Sequence, residues 1–152
     1  MNNHQTMLAD QASYPVAPPR RFLSFTARIL GNGTGSGGLH AVELQLPPGA
    51  SSPWHVHHEE DEWFYVIEGE VQVIVDESRA HLGAGDFAFG PRDVPHGFRV
   101  VSKSPARVLL LTVGGRFSDF ITENSEPVLD DGKPPQNDFD IARLIASAKT
   151  YG

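Results

Sequence analysis

The sequence contains no cysteine among its 152 residues. Disulfide bonds, thiolate metal sites and cysteine nucleophiles are therefore excluded, and a transition metal would have to be held by His, Asp or Glu. Basic residues are also few, with 12 Lys and Arg against 19 Asp and Glu and a formal net charge of −7. A chain with this balance lacks the electrostatic footprint of a protein that binds nucleic acid or an anionic membrane surface.

Long hydrophobic runs are missing as well. The longest apolar stretch, residues 108–113, is interrupted by Thr112 and is far shorter than the ~20 residues that a membrane-spanning helix needs. The first ten residues show no basic segment followed by an apolar one, which is the pattern of a secretory signal. We therefore expect no membrane association and a cytoplasmic location.

Glycine and proline are frequent instead, with 15 and 12 copies. They separate short β-forming segments, and strands broken by such residues every ~8–12 positions are typical of a barrel or jelly roll. The glycine-rich segment 31–38 lacks the Gly-Lys-Ser/Thr ending of a phosphate-binding loop and predicts a simple connection. Phe22–Leu30 predicts one strand or a pair of strands. The other predicted strands are Leu39–Leu46, Trp54–His58, Glu62–Glu68, Glu70–Val75, Arg79–Leu82, Asp86–Phe89, His96–Val101 and Ala106–Val113.

The two ends of the chain differ from this pattern. Residues 1–20 are polar and then proline-rich and predict an N-terminal arm, residues 21–115 hold the strands, and residues 116–152 predict a C-terminal extension. Within the extension, Phe117–Thr122 predicts one or two helical turns. Asp138 is expected to cap a helix over about 139–149 that packs on the barrel exterior or at a dimer contact, with its apolar face formed by Ile141, Leu144, Ile145 and Ala148.

Histidine and carboxylate residues concentrate between residues 55 and 62. His55 and His57 lie two positions apart, and on a strand such side chains point to the same face, where two imidazoles can chelate one ion. Glu62 opens the next predicted strand, and His96 follows on a later strand after a turn that contains proline. Four ligand-type residues in this arrangement predict a site for one metal ion.

The neighbouring ligand-type residues are expected to play other roles. The run 59–61 predicts a solvated loop, although Glu60 or Asp61 would serve as the ligand if the strand began earlier. The two-residue step from Glu62 to apolar residues at alternate positions favours Glu62. Three further histidines are predicted to lie at the surface or at strand edges: His40, His58 and His81.

Two groups of residues match motifs of a known family. With spacers of five, one, four and six residues, the first group reproduces the first cupin motif: Gly49, His55, His57, Glu62 and Gly69. After 15 intervening residues, a second group resembles the second cupin motif: Gly85, Pro91 and His96. Asp93 and Val100 stand where Gly and Asn are usual; neither change removes a ligand, and Asp tolerates a left-handed turn better than most residues.

The chain therefore resembles compact single-domain cupins over roughly residues 39–113. The resemblance implies an all-β fold, the cupin double-stranded β-helix (a jelly-roll barrel), with a short C-terminal helical extension. It also implies one divalent transition metal ion per chain, of the group Fe, Mn, Ni, Co, Cu or Zn, with coordination positions left open for substrate, water or dioxygen. The ligands implied by the resemblance are His55, His57, Glu62 and His96.

Further stretches resemble quercetin dioxygenase-type cupins, among them Arg28–Leu30, Asp61–Val66 and Pro105–Arg107. This resemblance implies a flavonol-cleaving dioxygenase acting on a planar enolic substrate, with Glu62 as both metal ligand and catalytic base. Two alternatives stay open. One is an oxygen-independent, metal-dependent isomerase, decarboxylase or lyase, and the other is a non-catalytic small-molecule-binding cupin.

The expected partners are a small-molecule substrate and a second copy of the chain. The substrate pocket is expected to have aromatic and aliphatic walls with few basic groups, which suits a weakly polar ligand. A homodimer would use the N-terminal arm, the C-terminal helix or the outward-facing Trp63 and Tyr65. The candidate wall residues are Phe64, Val66, Phe98, Phe87 or Phe89, and Leu109 or Leu111. Strand parity decides between the two members of each pair.

Overall fold

The computed structural model describes residues 17–33, 38–128 and 140–152. Within these residues the chain forms ten strands and two helices, α1 (Phe117–Glu123) and α2 (Ile141–Tyr151). Most of the predicted N-terminal arm, part of the glycine-rich segment and the predicted helix cap Asp138 lie outside the described residues. The strands are β1 (Arg20–Phe22), β2 (Phe25–Asn32), β3 (Leu39–Leu46), β4 (Glu60–Glu68), β5 (Val71–Val75), β6 (Ser78–Leu82), β7 (Phe87–Gly90), β8 (His96–Val100), β9 (Ala106–Gly114) and β10 (Glu126–Pro127).

The strands form two antiparallel sheets. The larger sheet has the order β10-β1-β2-β3-β9-β4-β7, and the smaller one has the order β6-β5-β8. Their inner faces share one hydrophobic core, which includes Leu44, Phe64 and Val73. The predicted all-β class and jelly-roll architecture are confirmed.

Alternation of buried and exposed residues explains how the strands orient their side chains. In β3, positions 40, 42, 44 and 46 are buried, and the positions between them are more exposed. In β4, the buried residues are Glu60, Glu62, Phe64 and Val66. Because side chains on a strand alternate between faces, both glutamates share the inner face with the apolar core.

Gly69 makes the tight turn between the two sheets at the end of β4. Its φ angle is 82°, and a Cβ atom at this position would lie 2.8 Å from the backbone of Ala106. Glycine supplies the left-handed conformation and the close approach together. The last glycine of the first sequence motif is therefore required by packing.

The C-terminal extension is part of the core. Phe117 and Ile121 of α1 are buried, and Phe120 packs edge-on against Phe22 near the start of the barrel at a ring separation of 5.9 Å. Helix α2 begins two residues later than predicted, because the carboxylate of Asp140 accepts a hydrogen bond from the backbone N–H of Arg143 at 2.9 Å. None of the described helices is long and apolar enough to cross a membrane.

The segment Phe22–Leu30 belongs to a strand pair, which was one of the two predicted alternatives, because Leu23 takes a φ angle of 52° in the turn between β1 and β2. A second predicted segment differs from the structure. The segment Trp54–His58 is not a strand. There the chain makes only an isolated bridge between His55 and His96, preceded by one between Ser51 and Arg99.

Candidate metal centre

The four predicted ligands reach the barrel interior from three parts of the chain. Glu62 lies on β4, His96 opens β8, and His55 and His57 lie on the connection between β3 and β4. The connection is fixed to β8 because the backbones of His55 and His96 exchange two hydrogen bonds, of 3.1 and 2.8 Å. This bridge places the two imidazole rings 4.7 Å apart.

The ligand atoms of the four side chains converge on one point. The Oε2 atom of Glu62 lies 3.0 Å from Nε2 of His96, 3.8 Å from Nε2 of His57 and 3.9 Å from Nε2 of His55. One ligand atom from each residue lies within 4.8 Å of all the others. Atoms that each sit ~2.1 Å from a shared ion are separated by ~3–4 Å. The set therefore has the size needed to hold one ion.

The ring nitrogens of the histidines are oriented for this role. The Nδ1 atoms of His55 and His96 lie 2.8 Å from the carbonyl oxygens of Pro53 and Val94, to which an Nδ1–H donates. Each ring thus presents its Nε2 to the cluster. The Nε2 of His57 is buried and has no hydrogen-bond partner among the described residues, as expected for a nitrogen that serves as a metal ligand. The donor set therefore fits a divalent transition metal ion.

Asp93, where the second motif departs from glycine, supports the ligand loop. Its φ angle is 62°, so it keeps the left-handed turn expected from the sequence. Its backbone N–H donates to the carbonyl of His57 at 2.7 Å, and its carboxylate lies 2.7 Å from Nδ1 of His58. Asp93 therefore holds the backbone at His57 and at the residue that follows it.

The cluster shifts the pKa values of three of its members. Burial lowers the pKa of His55, although the charge of Glu62 opposes this. Burial also disfavours charge on His57 and Glu62, but other interactions prevail there. The hydrogen bond to Glu60 and the charge of Glu62 raise the pKa of His57, and the hydrogen bond from His96 with the histidine charges lowers the pKa of Glu62.

The cluster faces a cavity of about 410 Å³. His55, His57 and Glu62 contribute to its lining, and helix α2 contributes Ile141 and Ile145. Helix α2 was predicted to pack on the barrel exterior or at a dimer contact. In the structure its apolar face also lines the cavity. The aromatic lining residues on the barrel and α1 are Phe22, Phe25, Phe98, Phe117 and Phe120.

Most of the predicted pocket wall requires correction. Phe98 lines the cavity as expected. Phe64 and Val66 face inward but lie buried within the core, where Phe64 contacts the ring of His96 at a centroid distance of 6.0 Å. Leu110 lines the cavity in place of its neighbours, because β9 has the opposite parity. The predicted residues that instead lie on the outer face are Phe87, Phe89, Leu109 and Leu111.

Two buried polar residues were expected at the surface. His40 is 3% exposed and bonds Ser118 through Nδ1 at 2.9 Å. Glu60 is 3% exposed and its Oε1 lies 3.2 Å from Nδ1 of His57. The period of two in β4 could have revealed Glu60, since it lies two residues before Glu62. Asp61 does face outward, where it pairs with Arg92 at 2.7 Å.

The family model of the cupin domain matches residues 42–113. This chain contains a cupin domain. A solved RmlC-like cupin from Shewanella frigidimarina NCIMB 400 is 28% identical, with a TM-score of 0.54, over 66% of this chain and 88% of that one. The sequence and the fold therefore agree with the motif-based resemblance.

Two curated proteins of Bacillus subtilis (strain 168) are related to this cupin. Quercetin 2,3-dioxygenase is 29% identical over 110 residues, which cover 72% of this chain and 32% of that protein. Oxalate decarboxylase is 36% identical over 86 residues, which cover 53% of this chain and 22% of that protein. The cupin thus spans a third or less of the length of either relative.

The metal centre predicts that His57→Ala abolishes stabilisation by added metal. At a metal concentration ~100 times the dissociation constant, the wild-type protein should gain about 2.7 kcal/mol in unfolding free energy. Chemical denaturation with and without cobalt(II) or manganese(II) measures this gain. The control is His81→Ala, which removes an exposed histidine paired with Glu70 and should keep the full gain. An equal gain in all three proteins would contradict the assignment.

The raised pKa of His57 predicts how this stabilisation depends on pH. A raised folded-state pKa stabilises the metal-free protein below pH ~6.5, and this contribution is lost as the pH rises through the folded-state value. Metal binding needs the deprotonated ring. The metal-induced rise in the unfolding midpoint should therefore increase between about pH 6 and pH 8. A rise that is constant or decreases over this range would contradict the prediction.

Proposed function

We propose that this cupin is a metal-dependent oxidoreductase, a dioxygenase of the quercetinase type that cleaves a planar enolic substrate. The supporting observation is the position of the three-histidine, one-glutamate cluster at a cavity with mainly apolar walls. The relationship to a quercetin 2,3-dioxygenase adds independent support. Because that relationship covers only part of the longer enzyme, the substrate and the reaction are proposed here from the site.

The cavity suits a flat, weakly charged ligand. Its volume of about 410 Å³ falls within the range typical of small-molecule sites. Five phenylalanine side chains contribute to its walls, and aromatic faces and edges can pack against a planar ring system. Lys149 is the single Lys or Arg among the described lining residues, so a substrate with several negative charges would find little compensation.

In the proposed reaction Glu62 receives the hydroxyl proton of the substrate. A bound metal ion would supply Lewis-acid chemistry for the substrate oxygen and open positions for ligands. In the metal-free protein burial opposes charge on Glu62, but the hydrogen bond from His96 prevails and lowers the pKa of Glu62, so its carboxylate is charged before metal and substrate bind. Oε2 of Glu62 and Nε2 of His96 lie 3.0 Å apart, close enough to bind the same ion. Once deprotonated, the electron-rich enolate reacts with dioxygen: both oxygen atoms enter the product, the two carbon–carbon bonds of the hydroxyl-bearing carbon break, and that carbon leaves with its oxygen as carbon monoxide.

An oxygen-independent decarboxylase is the second candidate. The observation that favours it is the 36% identity to oxalate decarboxylase over 86 residues. The same metal ligands could bind a carboxylate substrate. The apolar walls argue against a small dicarboxylate, because two charges would be desolvated opposite one lysine.

The proposal predicts oxygen consumption when the metal-loaded protein meets a flavonol. Glu62→Gln should reduce the rate at least ~100-fold, since a positioned base contributes about that much. Glu59→Gln removes a neighbouring exposed carboxylate and serves as the charge-matched control. Oxalate supplied under anaerobic conditions tests the second candidate in parallel. Absence of oxygen uptake with every flavonol and every first-row divalent metal would refute the dioxygenase proposal.

We also propose a homodimer that forms through an aromatic patch on the outer face of the larger sheet. The patch consists of Trp63, Tyr65, Phe87 and Phe89. Phe87 is 53% exposed, and Phe89 stacks on Trp63 at 4.9 Å. Exposed apolar patches on soluble proteins commonly mark interaction sites. Two ion pairs near the patch, Asp61 with Arg92 and Glu43 with Arg107, are formed within the chain, which reduces the net charge that a second copy would meet there.

The homodimer proposal predicts a solution mass of twice the 16.6 kDa of one chain. Light scattering coupled to size-exclusion chromatography measures this mass directly. The double variant Phe87→Ser, Phe89→Ser should be monomeric, because it removes the most exposed rings of the patch. Trp54→Ser changes another exposed aromatic residue away from the patch and should leave the dimer intact. A monomeric wild-type protein would contradict the proposal.

A further inference from the structure

Glu60 occupies an unusual position for a carboxylate. It opens β4 on the inner face, and 3% of its surface is exposed. The next carboxylate, Asp61, faces outward and forms a two-pronged ion pair with Arg92. No Lys or Arg pairs with Glu60 in the part of the chain that the structure describes. Its carboxylate instead contacts the imidazole ring of His57.

The contact with His57 lies on the side of the ring that faces away from the metal cluster. Oε1 of Glu60 lies 3.2 Å from Nδ1 of His57, whereas Nε2 of the same ring is directed toward Glu62. An Nδ1–H that donates to Glu60 fixes the tautomer in which Nε2 is free to bind metal. Since a carboxylate is a charged acceptor, it also increases the electron density of the ring more than a carbonyl does.

This acceptor distinguishes His57 from the other two histidines of the cluster. The Nδ1 atoms of His55 and His96 face backbone carbonyls at 2.8 Å. Those carbonyls are parts of the backbone and do not depend on the side chain of the residue that bears them. The orientation of His57 depends on one side chain, which a substitution can remove.

Glu60 is costly to keep in place if its role is only structural. Its second oxygen, Oε2, is buried and has no hydrogen-bond partner among the described residues. An unpaired buried polar atom destabilises a fold by about 1–3 kcal/mol. A leucine at this inner-face position would avoid that cost. The retention of a carboxylate is explained if its effect on His57 is needed.

The glycine pair at the end of β9, Gly114 and Gly115, provides the space for this carboxylate. A Cβ atom on Gly115 would lie 2.6 Å from Oε2 and 2.7 Å from Cδ of Glu60. A Cβ atom on Gly114 would lie 2.3 Å from the carbonyl oxygen of Glu59. All three distances are far below van der Waals contact. Any residue larger than glycine at position 115 would therefore displace the Glu60 side chain.

We propose that Glu60 is a positioning residue of the metal centre, which orients His57 and strengthens its bond to the metal, and that Gly115 holds the space for the Glu60 carboxylate. The inference rests on the proposed metal-dependent function and extends it to two residues outside the ligand set. Glu60 acts through His57 and does not itself contact the ion.

The test is cobalt(II) affinity, measured by competition with a chelator at about pH 8. Glu60→Leu should weaken binding ~10–100-fold, as loss of a carboxylate that orients a ligand histidine typically does. Glu60→Gln keeps an oxygen that can accept the Nδ1–H but loses the charge, so it should restore part of the affinity. Gly115→Ala should weaken binding in the same direction as Glu60→Leu.

Glu59→Gln is the matched control, because it removes one carboxylate at the adjacent, exposed position. The cobalt(II) affinity of Glu59→Gln should stay within ~2-fold of the wild-type value. The visible absorption spectrum of bound cobalt(II) is a second readout, and it should change in Glu60→Leu and Gly115→Ala but not in Glu59→Gln. Circular dichroism of the metal-free variants identifies any that fail to fold. If Glu60→Leu fails to fold, the cobalt(II) affinity of Glu60→Gln, which conserves the shape of the side chain, still tests the proposal.

The outcomes separate this inference from the proposed function. If the wild-type protein binds cobalt(II) and both Glu60 variants bind as tightly as Glu59→Gln, the positioning role is wrong and the metal centre stands. If the Glu60 variants bind weakly but no flavonol is oxidised, the positioning role stands and the dioxygenase proposal is wrong. If the wild-type protein binds no divalent metal, both are overturned.

Discussion

The alternation of side chains along β4 is the constraint on which the site depends. Glu60 and Glu62 share the inner face with Phe64, while Asp61 and Trp63 face outward. A shift of one residue would bring Trp63 inside and place both glutamates at the surface. β4 lies between β9 and β7 in the larger sheet, and the apolar residues on its inner face fix this register. The hydrophobic core therefore determines where the metal-binding carboxylate lies.

The charge of the interior follows from the same arrangement. Two buried carboxylates, Glu60 and Glu62, face three imidazoles that are neutral when they bind metal. A divalent cation would balance these two charges in surroundings that are otherwise mostly apolar. Because Coulomb interactions are stronger in a low-dielectric interior, the apolar cavity favours the loaded centre over the metal-free one. The walls that exclude a highly charged substrate thus also strengthen the hold on the ion.

The sequence predicted best those features that follow from a regular period. The bounds of Leu39–Leu46 were correct, and the four candidate ligands do lie together, although the strand expected to place His55 and His57 on one face is absent and the His55–His96 bridge positions them instead. The inner face of β9 could not be predicted, since residues 108–111 are all apolar and the flanking polar residues, the outward Arg107 and the buried Thr112, have opposite parity. In β7 the two phenylalanines face outward around a small inward alanine, a pattern that arises from the packing of neighbouring strands.

About half of the residues that line the cavity lie outside the segment that matches the cupin family. The ligands and Phe98 fall within residues 42–113, but Phe22, Phe25 and the lining residues of α1 and α2 do not. The carbonyl oxygen of Gly152 also accepts a hydrogen bond from the backbone N–H of His58 at 2.6 Å, so the end of α2 is joined to the ligand loop.

Within the matched segment, Val100, which stands where the motif usually has Asn, is a buried core residue of β8, two positions beyond Phe98. The shared segment accounts for the metal cluster and part of the apolar walls, and the flanking segments account for the rest of the walls. For this reason, similarity to a quercetinase and to an oxalate decarboxylase can coexist, while the flavonol proposal depends on residues that the family motifs do not include.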